Sequence, residues 1–193
     1  TLLDHPVSDA LFNFFKLFPI PYNEEHIHLT GSLTAEFLFP RLKKLLSSKN
    51  KKIYEKKIKE VYGENALPIK DAAQLDKLLR LKDNEGFHQY LKIILIPKLV
   101  LNSKKAHKDA AYSMASELYH KYNVGKIRLK FTFSRESAKE VDAIPGLKNL
   151  TSEDVVLGLY EGFAKFQEKH PNFDFVLSPS IRKESHFYDP KHI

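Results

Sequence analysis

Two histidines separated by one residue, His26 and His28, stand in the stretch HIHLTGS. On a strand, side chains alternate between faces, so both imidazoles share one face, about 7 Å apart along the chain. Imidazole nitrogens bind a divalent cation such as zinc at about 2.0–2.1 Å, and two rings on one face can converge on a single ion. The same spacing also describes a half-buried strand whose histidines meet solvent or ordinary hydrogen-bond partners. With nine histidines in the chain, one such pair is not rare. By the same alternation, Ile27 and Leu29 face the other side and pack against helices, and Glu25 faces away from the histidines. Thr30 and Gly31 then turn the chain, with Gly31 allowing close backbone approach.

The rest of the composition narrows the chemistry. There is no cysteine, which excludes a disulfide framework, thiolate zinc sites and cysteine nucleophiles. Any metal rests on His, Asp or Glu, and the absence of thiols fits a reducing, cytoplasmic setting. Ser32 and Ser134 have no His–Asp partners that would make a hydrolase triad. His88, His107 and His120 fall at irregular spacing on helical segments and read as surface or internally satisfied residues, while His186 and His192 lie in a polar tail.

A site on HIHL needs a scaffold, and the surrounding periodicities supply one. SDALFNFFKLF (8–18) has an N-cap Ser and a helical apolar pattern. Helices are expected over 33–47, with Pro40 as a kink, over 49–62, ended by Gly63, and over 71–81, capped by Asp71. The apolar segment 84–101 reads as helix with a bend at Pro97, and 103–122 as an amphipathic helix burying Ala110, Ala111, Met114, Leu118 and Tyr122. KIRLKFTFS (126–134) alternates like a strand, Thr151 opens a further helix with a capping signature, and NFDFVLS (172–178) is another strand. Strands separated by helical crossovers predict α/β with a parallel sheet. Three strands do not close a barrel, so 193 residues are expected to form a single incomplete domain. It would be the N-terminal portion of a TIM (β/α)8-type barrel with extra helices after the first strand; residues 1–22 form an N-terminal helix and approach, and 23–193 the first strands and helices.

The formal net charge is +7, and much of the lysine excess sits in KKLLSSKNKKIYEKKIKE (43–60). Interleaved glutamates and the apolar period Ile53, Ile58 and Val61 make this a solvated helix face. It lacks the glycine, arginine and exposed aromatic content of a nucleic-acid stacking surface. No apolar run reaches the roughly 18 residues of a membrane span.

PYNEEHIHLTGSLTAEFLFPRL resembles the first strand and following helix of the adenosine deaminase family, whose opening reads "K-x-E-L-H-x-H-L-x-G"; His26, His28, Leu29 and Gly31 fall on it. EGFHQYLKIILIPKLVL is similar to that family's "F-x-x-F" helix. The stretch YHKYNVGKIRLKFTFS is similar to its next helix and strand, with Arg128-Leu129-Lys130 in place of the usual acid-bearing pattern. PGLKNLTSEDVVLGLYEGFAKFQEKHPNFDFVLSPSIRKE is similar to the following helix and strand. The resemblance covers about residues 19–184, and only its opening is chemically specific.

The resemblance implies a zinc-dependent hydrolase that deaminates an adenine-type purine through a metal-activated water attacking C6. His26 and His28 would be two ligands of one zinc ion. The family's remaining ligands and its "H-A-G-E" glutamate are expected beyond Ile193, so the 193-residue piece alone is expected to be inactive. Thr30 stands where adenosine deaminases commonly carry an Asp that contacts the sugar. A neutral, shorter hydroxyl there points away from plain adenosine towards a phosphorylated or otherwise altered purine. Phe87, after Gly86, matches an apolar residue that packs over the base; it is equally readable as plain helix core. The expected partners are therefore a small purine nucleoside or nucleotide and the C-terminal remainder of the same barrel, with no nucleic acid and no membrane. The alternative is a non-catalytic interaction module, or an inactive fragment, on the same scaffold. The cysteine-ligated zinc deaminases of nucleobases are excluded.

Overall fold

The computed structural model describes residues 5–82, 85–132, 144–147 and 149–180. Along them run α1 (Pro6–Lys16), β1 (Tyr22–His28), α2 (Ala35–Leu46), α3 (Lys51–Tyr62), a 3-10 turn (Glu64–Ala66) and α4 (Ala72–Leu78). There follow α5 (Phe87–Ile93), α6 (Leu95–Val100), α7 (Lys104–Tyr122), β2 (Val124–Phe131), α8 (Ser152–Gln167) and β3 (Asp174–Pro179). The strands form one parallel sheet in the order β1-β2-β3. Parallel neighbours need long crossovers; here α2 to α7 connect β1 to β2, and the stretch with α8 connects β2 to β3. The α/β architecture with extra helices after the first strand is the one the sequence predicts.

Local chemistry sets the helix ends. The Ser103 hydroxyl accepts from the Ala106 amide at 3.2 Å and opens α7, and Asn123 closes it in a left-handed conformation with φ 56°. At α8 the Thr151 hydroxyl accepts from the Asp154 amide at 3.0 Å, while the Asp154 carboxylate accepts from the Thr151 amide at 3.2 Å. This reciprocal pair is the capping box that the sequence signals.

Residues 84–101 divide at Ile94, between α5 and α6, and not at Pro97. Pro97 has no amide to donate back to the carbonyl four residues earlier, and its ring crowds that carbonyl, so the break falls N-terminal to it. The freed Ile93 carbonyl accepts from the Tyr62 hydroxyl, which also accepts from the Ile96 amide at 3.3 Å. Burial pushes the Tyr62 phenol above its ordinary pKa, which holds it in the protonated form that donates.

One face of the sheet is sealed. Ile127 and Leu129 are fully buried and Phe131 nearly so, in one core cluster with Ala110, Ala111 and Ala115 of α7 and Leu159, Phe163 and Phe166 of α8. Gly158 and Gly162 let those two helices touch backbone to backbone. A Cβ on Gly158 would lie 2.5 Å from the Lys104 carbonyl oxygen, and one on Gly162 would overlap the Lys108 carbonyl. The same approach brings Lys104 (2.6 Å) and Lys108 (2.8 Å) onto Glu161, whose carboxyl they pull down to about 2.

Three residues of the apolar periods are less buried than their spacing implies. Tyr122 is 41% exposed and meets Phe12 edge-on, because α7 ends there, beyond the sheet it covers. Ile53 is 39% exposed, and Tyr54 takes the buried position on α3 beside Ile58. Leu118 is only half-buried. The α3 lysines pair with its glutamates, Lys57 with Glu60 at 3.0 Å and Lys51 with Glu55 at 3.5 Å, as a solvated face should. Helix α1 lies against the N-terminal ends of β1 and β2, tied there by the Asn123 side-chain amide donating to the Phe18 carbonyl at 2.8 Å. Its apolar residues Leu11, Phe14 and Leu17 remain largely exposed. Among the described residues no helix is long and apolar enough to cross a membrane.

Candidate functional site

The other face of the sheet is open and polar. Alternation along β2 turns Lys126, Arg128 and Lys130 onto it, each half-buried between fully buried neighbours. On β1, His26 and His28 are exposed while Leu29 is buried and Ile27 packs on the core. At the C-terminal ends of the strands, His28, Lys130 and Ser178 stand in one row of register partners across the sheet. In open or closed α/β sheets, side chains at this end face the mouth where ligands bind.

The histidine pair converges. The two Nε2 atoms are 3.0 Å apart, with ring centroids 5.0 Å apart and planes tilted by 44°. Two nitrogens on a tetrahedral zinc ion stand about 3.3 Å apart at Zn–N distances of about 2.0–2.1 Å. The observed separation therefore suits two ligands of one ion with a shift of a few tenths of an ångström. It equally suits a hydrogen bond in which one Nε2–H donates to the other ring. Ligation of one ion needs both rings uncharged, whereas the hydrogen bond needs only the accepting ring uncharged. The His28 imidazole is held below its ordinary pKa, first by partial burial, then by repulsion from His26 and from Lys130. The donor set fits half a metal site; among the described residues no group of three or more His, Asp or Glu side chains gathers that could complete one.

The strand carrying these rings is not regular. Pairing with β2 slips between Glu24 and Ile27, an irregularity of the kind that re-aims side chains at the rim of a barrel. It breaks the alternation that would turn Glu25 away from the histidines. The Glu25 carboxylate instead accepts from Arg128 Nε at 2.8 Å, on the open face. Arg128 holds the Glu25 carboxyl below the usual range, and Lys126 does the same to Asp174 across 3.0 Å. Lys130 has no carboxylate partner among the described residues.

After His28 the chain turns at once. The Ser32 hydroxyl donates to the His28 carbonyl at 2.7 Å, closing the turn that carries Thr30, which is half-buried. A Cβ on Gly31 would lie 3.1 Å from the Tyr90 hydroxyl oxygen, so α5 reaches the turn. Tyr90 is a site residue that the sequence reading passed over, although it sits three residues after Phe87, one helical turn along the same face. Phe87 is the first residue of α5, and its side chain lies outside the described residues. The structure thus brings His26, His28, Thr30 and the helix bearing Phe87 to one end of β1.

The remaining histidines separate from the site. His107 is buried on α7, with Nδ1 2.9 Å from the Ser103 carbonyl oxygen, and burial lowers its pKa. His120 is exposed, with Nδ1 2.9 Å from the Ser116 carbonyl oxygen. The His88 side chain, Ser134, His186 and His192 lie outside the described residues. A groove of about 860 Å³ lined by Arg41, Lys108, Tyr112 and His120 is on the helical side and contains neither His26 nor His28.

The chain matches no protein-family model and no curated protein in sequence. Solved structures do match its fold. The adenine deaminase from Arthrobacter aurescens superposes with a TM-score of 0.56 at 16% identity, over 83% of this chain and 39% of that one. Arabidopsis ADAL complexed with GMP superposes with a TM-score of 0.53 at 14% identity, over 86% of this chain and 41% of that one. The chain therefore spans about two fifths of the length of the structures it matches, and its fold is that of the N-terminal portion of such a barrel.

Proposed function

We propose that this chain is the N-terminal part of a metal-dependent hydrolase that deaminates an adenine-type purine, and that His26 and His28 are two ligands of its zinc ion. The observation that carries the reading is the convergence of the two Nε2 atoms at the C-terminal end of β1, on the open face of the sheet. The fold neighbours support it: one is an adenine deaminase and another holds GMP. A divalent cation held there supplies Lewis acidity and a hydroxide equivalent at neutral pH.

The chain's own groups then have defined work. Each imidazole offers an Nε2 lone pair, and the lowered pKa of His28 favours the uncharged form of that ring. The Ser32–His28 hydrogen bond fixes the end of the strand and so the direction of the ring. Thr30 meets the sugar portion of the substrate as a neutral hydroxyl, which accepts a nearby phosphate where a carboxylate would repel it. Phe87 packs over the base. On this reading the substrate is a purine nucleotide or modified nucleoside, and the remaining ligands and the proton-transfer groups belong to a C-terminal remainder of the barrel.

The test is hydrolysis at C6 by the full-length protein, read as ammonia from adenosine and AMP and as the alkylamine from N6-alkyl AMP, together with its metal content. The reading predicts zinc in the purified protein, turnover of a nucleotide in preference to adenosine, and loss of both metal and activity in His28→Ala. A metal-free protein, or a His28→Ala variant that deaminates normally, contradicts it.

A further inference from the structure

The lysine block that the sequence singles out has no part in the histidine site, yet the structure gives it a shaped surface. Helices α2 and α3 and the segment 67–70 enclose a groove of about 440 Å³. Its floor is apolar, with Phe39, Leu42 and Leu46 from α2 and Leu67 and Ile69 from the facing segment. Its rim is cationic: Lys43, Lys51, Lys59 and Lys70 stand around it against one carboxylate, Glu55. None of the lining residues belongs to a strand or to the turn after β1.

We propose that this groove docks an acidic amphipathic peptide segment of a partner protein, apolar residues on the floor and carboxylates on the lysine rim. Charge complementarity selects this occupant. Lys43 and Lys70 are exposed and have no carboxylate partner among the described residues. Among the described residues, Lys51 and Lys59 pair only with the surface carboxylates of Glu55 (3.5 Å) and Glu64 (3.0 Å). Such exposed pairs are worth about 0–1 kcal/mol, so a partner's carboxylates can replace them. Four cations around one apolar trough call for several carboxylates flanking an apolar stripe, which is the pattern of an amphipathic helix laid in a groove. A single carboxylate on an acyl chain leaves most of the rim unmatched. Nucleic acid fits less well, because the floor is mainly aliphatic and lacks the aromatic platforms on which bases stack.

The experiment is fluorescence anisotropy with the full-length protein and three labelled probes. One is a helical peptide with Leu at i, i+3, i+4 and i+7 and Glu at the flanking positions; the second keeps the leucines and replaces Glu by Lys; the third is oligothymidine. The expected result is saturable binding of the Glu peptide, at least about tenfold tighter than either other probe and weakened by salt. It should weaken about tenfold more in Lys43→Glu/Lys70→Glu, whose exposed side chains leave the fold intact by circular dichroism. Ile69→Ser should weaken the Glu peptide with no change in salt dependence. The proposal is overturned if the Glu peptide does not bind, if the Lys peptide or the oligothymidine binds as tightly, or if the charge-reversed variant binds it unchanged.

Discussion

The two faces of the three-stranded sheet are built from alternate residues of the same strands, and they differ in almost every physical respect. On the face under α7 and α8, Ile127, Leu129 and Phe131 are buried among alanines, glycines and phenylalanines. On the other, His26, His28, Lys126, Arg128 and Lys130 keep solvent contact, and Glu25 and Asp174 meet the charges of Arg128 and Lys126. A single register therefore separates the stability of the fold from its chemistry. Substitutions on the sealed face should unfold the chain, while those on the open face should spare it.

Leu129→Ala should make the largest difference. It deletes a fully buried side chain between Ile27 and Leu177 in the sheet, and a loss of about 2–5 kcal/mol by urea unfolding is expected. Next comes Gly162→Ala, whose new Cβ meets the Lys108 carbonyl and the Ala111 side chain. Overpacking there should cost about 1–3 kcal/mol, and an unchanged midpoint would show that α7 and α8 part without penalty.

Acid should weaken the pairing of α7 with α8 and the packing around His107. Glu161 has a folded pKa of about 2, below the usual carboxylate value of about 4.3, so the unfolded chain binds the proton more readily. The stability its two lysines give is complete above about pH 4.5 and lost as pH falls towards 2. His107 moves the same way, since burial lowers its pKa and unfolding lets it charge below about pH 6.5. A thermal midpoint that falls steadily from pH 7 to pH 3 fits both; one that rises contradicts both signs. The smallest effect belongs to Arg128→Ala. Its pair with Glu25 is solvent-exposed on both sides, and such pairs are worth about 0–1 kcal/mol.

Much of this division was legible in the residues. The alternation of KIRLKFTF put Ile127, Leu129 and Phe131 on one face, and the T-x-x-D spacing of Thr151 and Asp154 announced the start of α8. The one-residue gap between His26 and His28 predicted a shared face, and the 3.0 Å contact bears that out. What the sequence hid depends on long-range contacts. The slip between Glu24 and Ile27 is set by pairing with β2, so alternation misplaced Glu25. The break at Ile94 is patched by Tyr62, which donates to the Ile93 carbonyl 31 residues further along the chain. The glycines of α8 acquire a role only because α7 lies against them, and Tyr90 joins the site through an approach to Gly31 that no local pattern encodes.

The central claim is that His26 and His28 are two ligands of one metal ion. It is tested most directly by titrating zinc into the metal-free full-length protein while following both imidazoles by histidine-selective NMR, beside His26→Ala and His28→Ala. The account predicts that both rings respond together and saturate at one equivalent. Each substitution should weaken zinc by at least about 100-fold, more than loss of a supporting outer group costs, and leave the melting temperature of the metal-free protein within a few degrees. Zinc that binds equally well without either ring, or that perturbs only one of them, would contradict it.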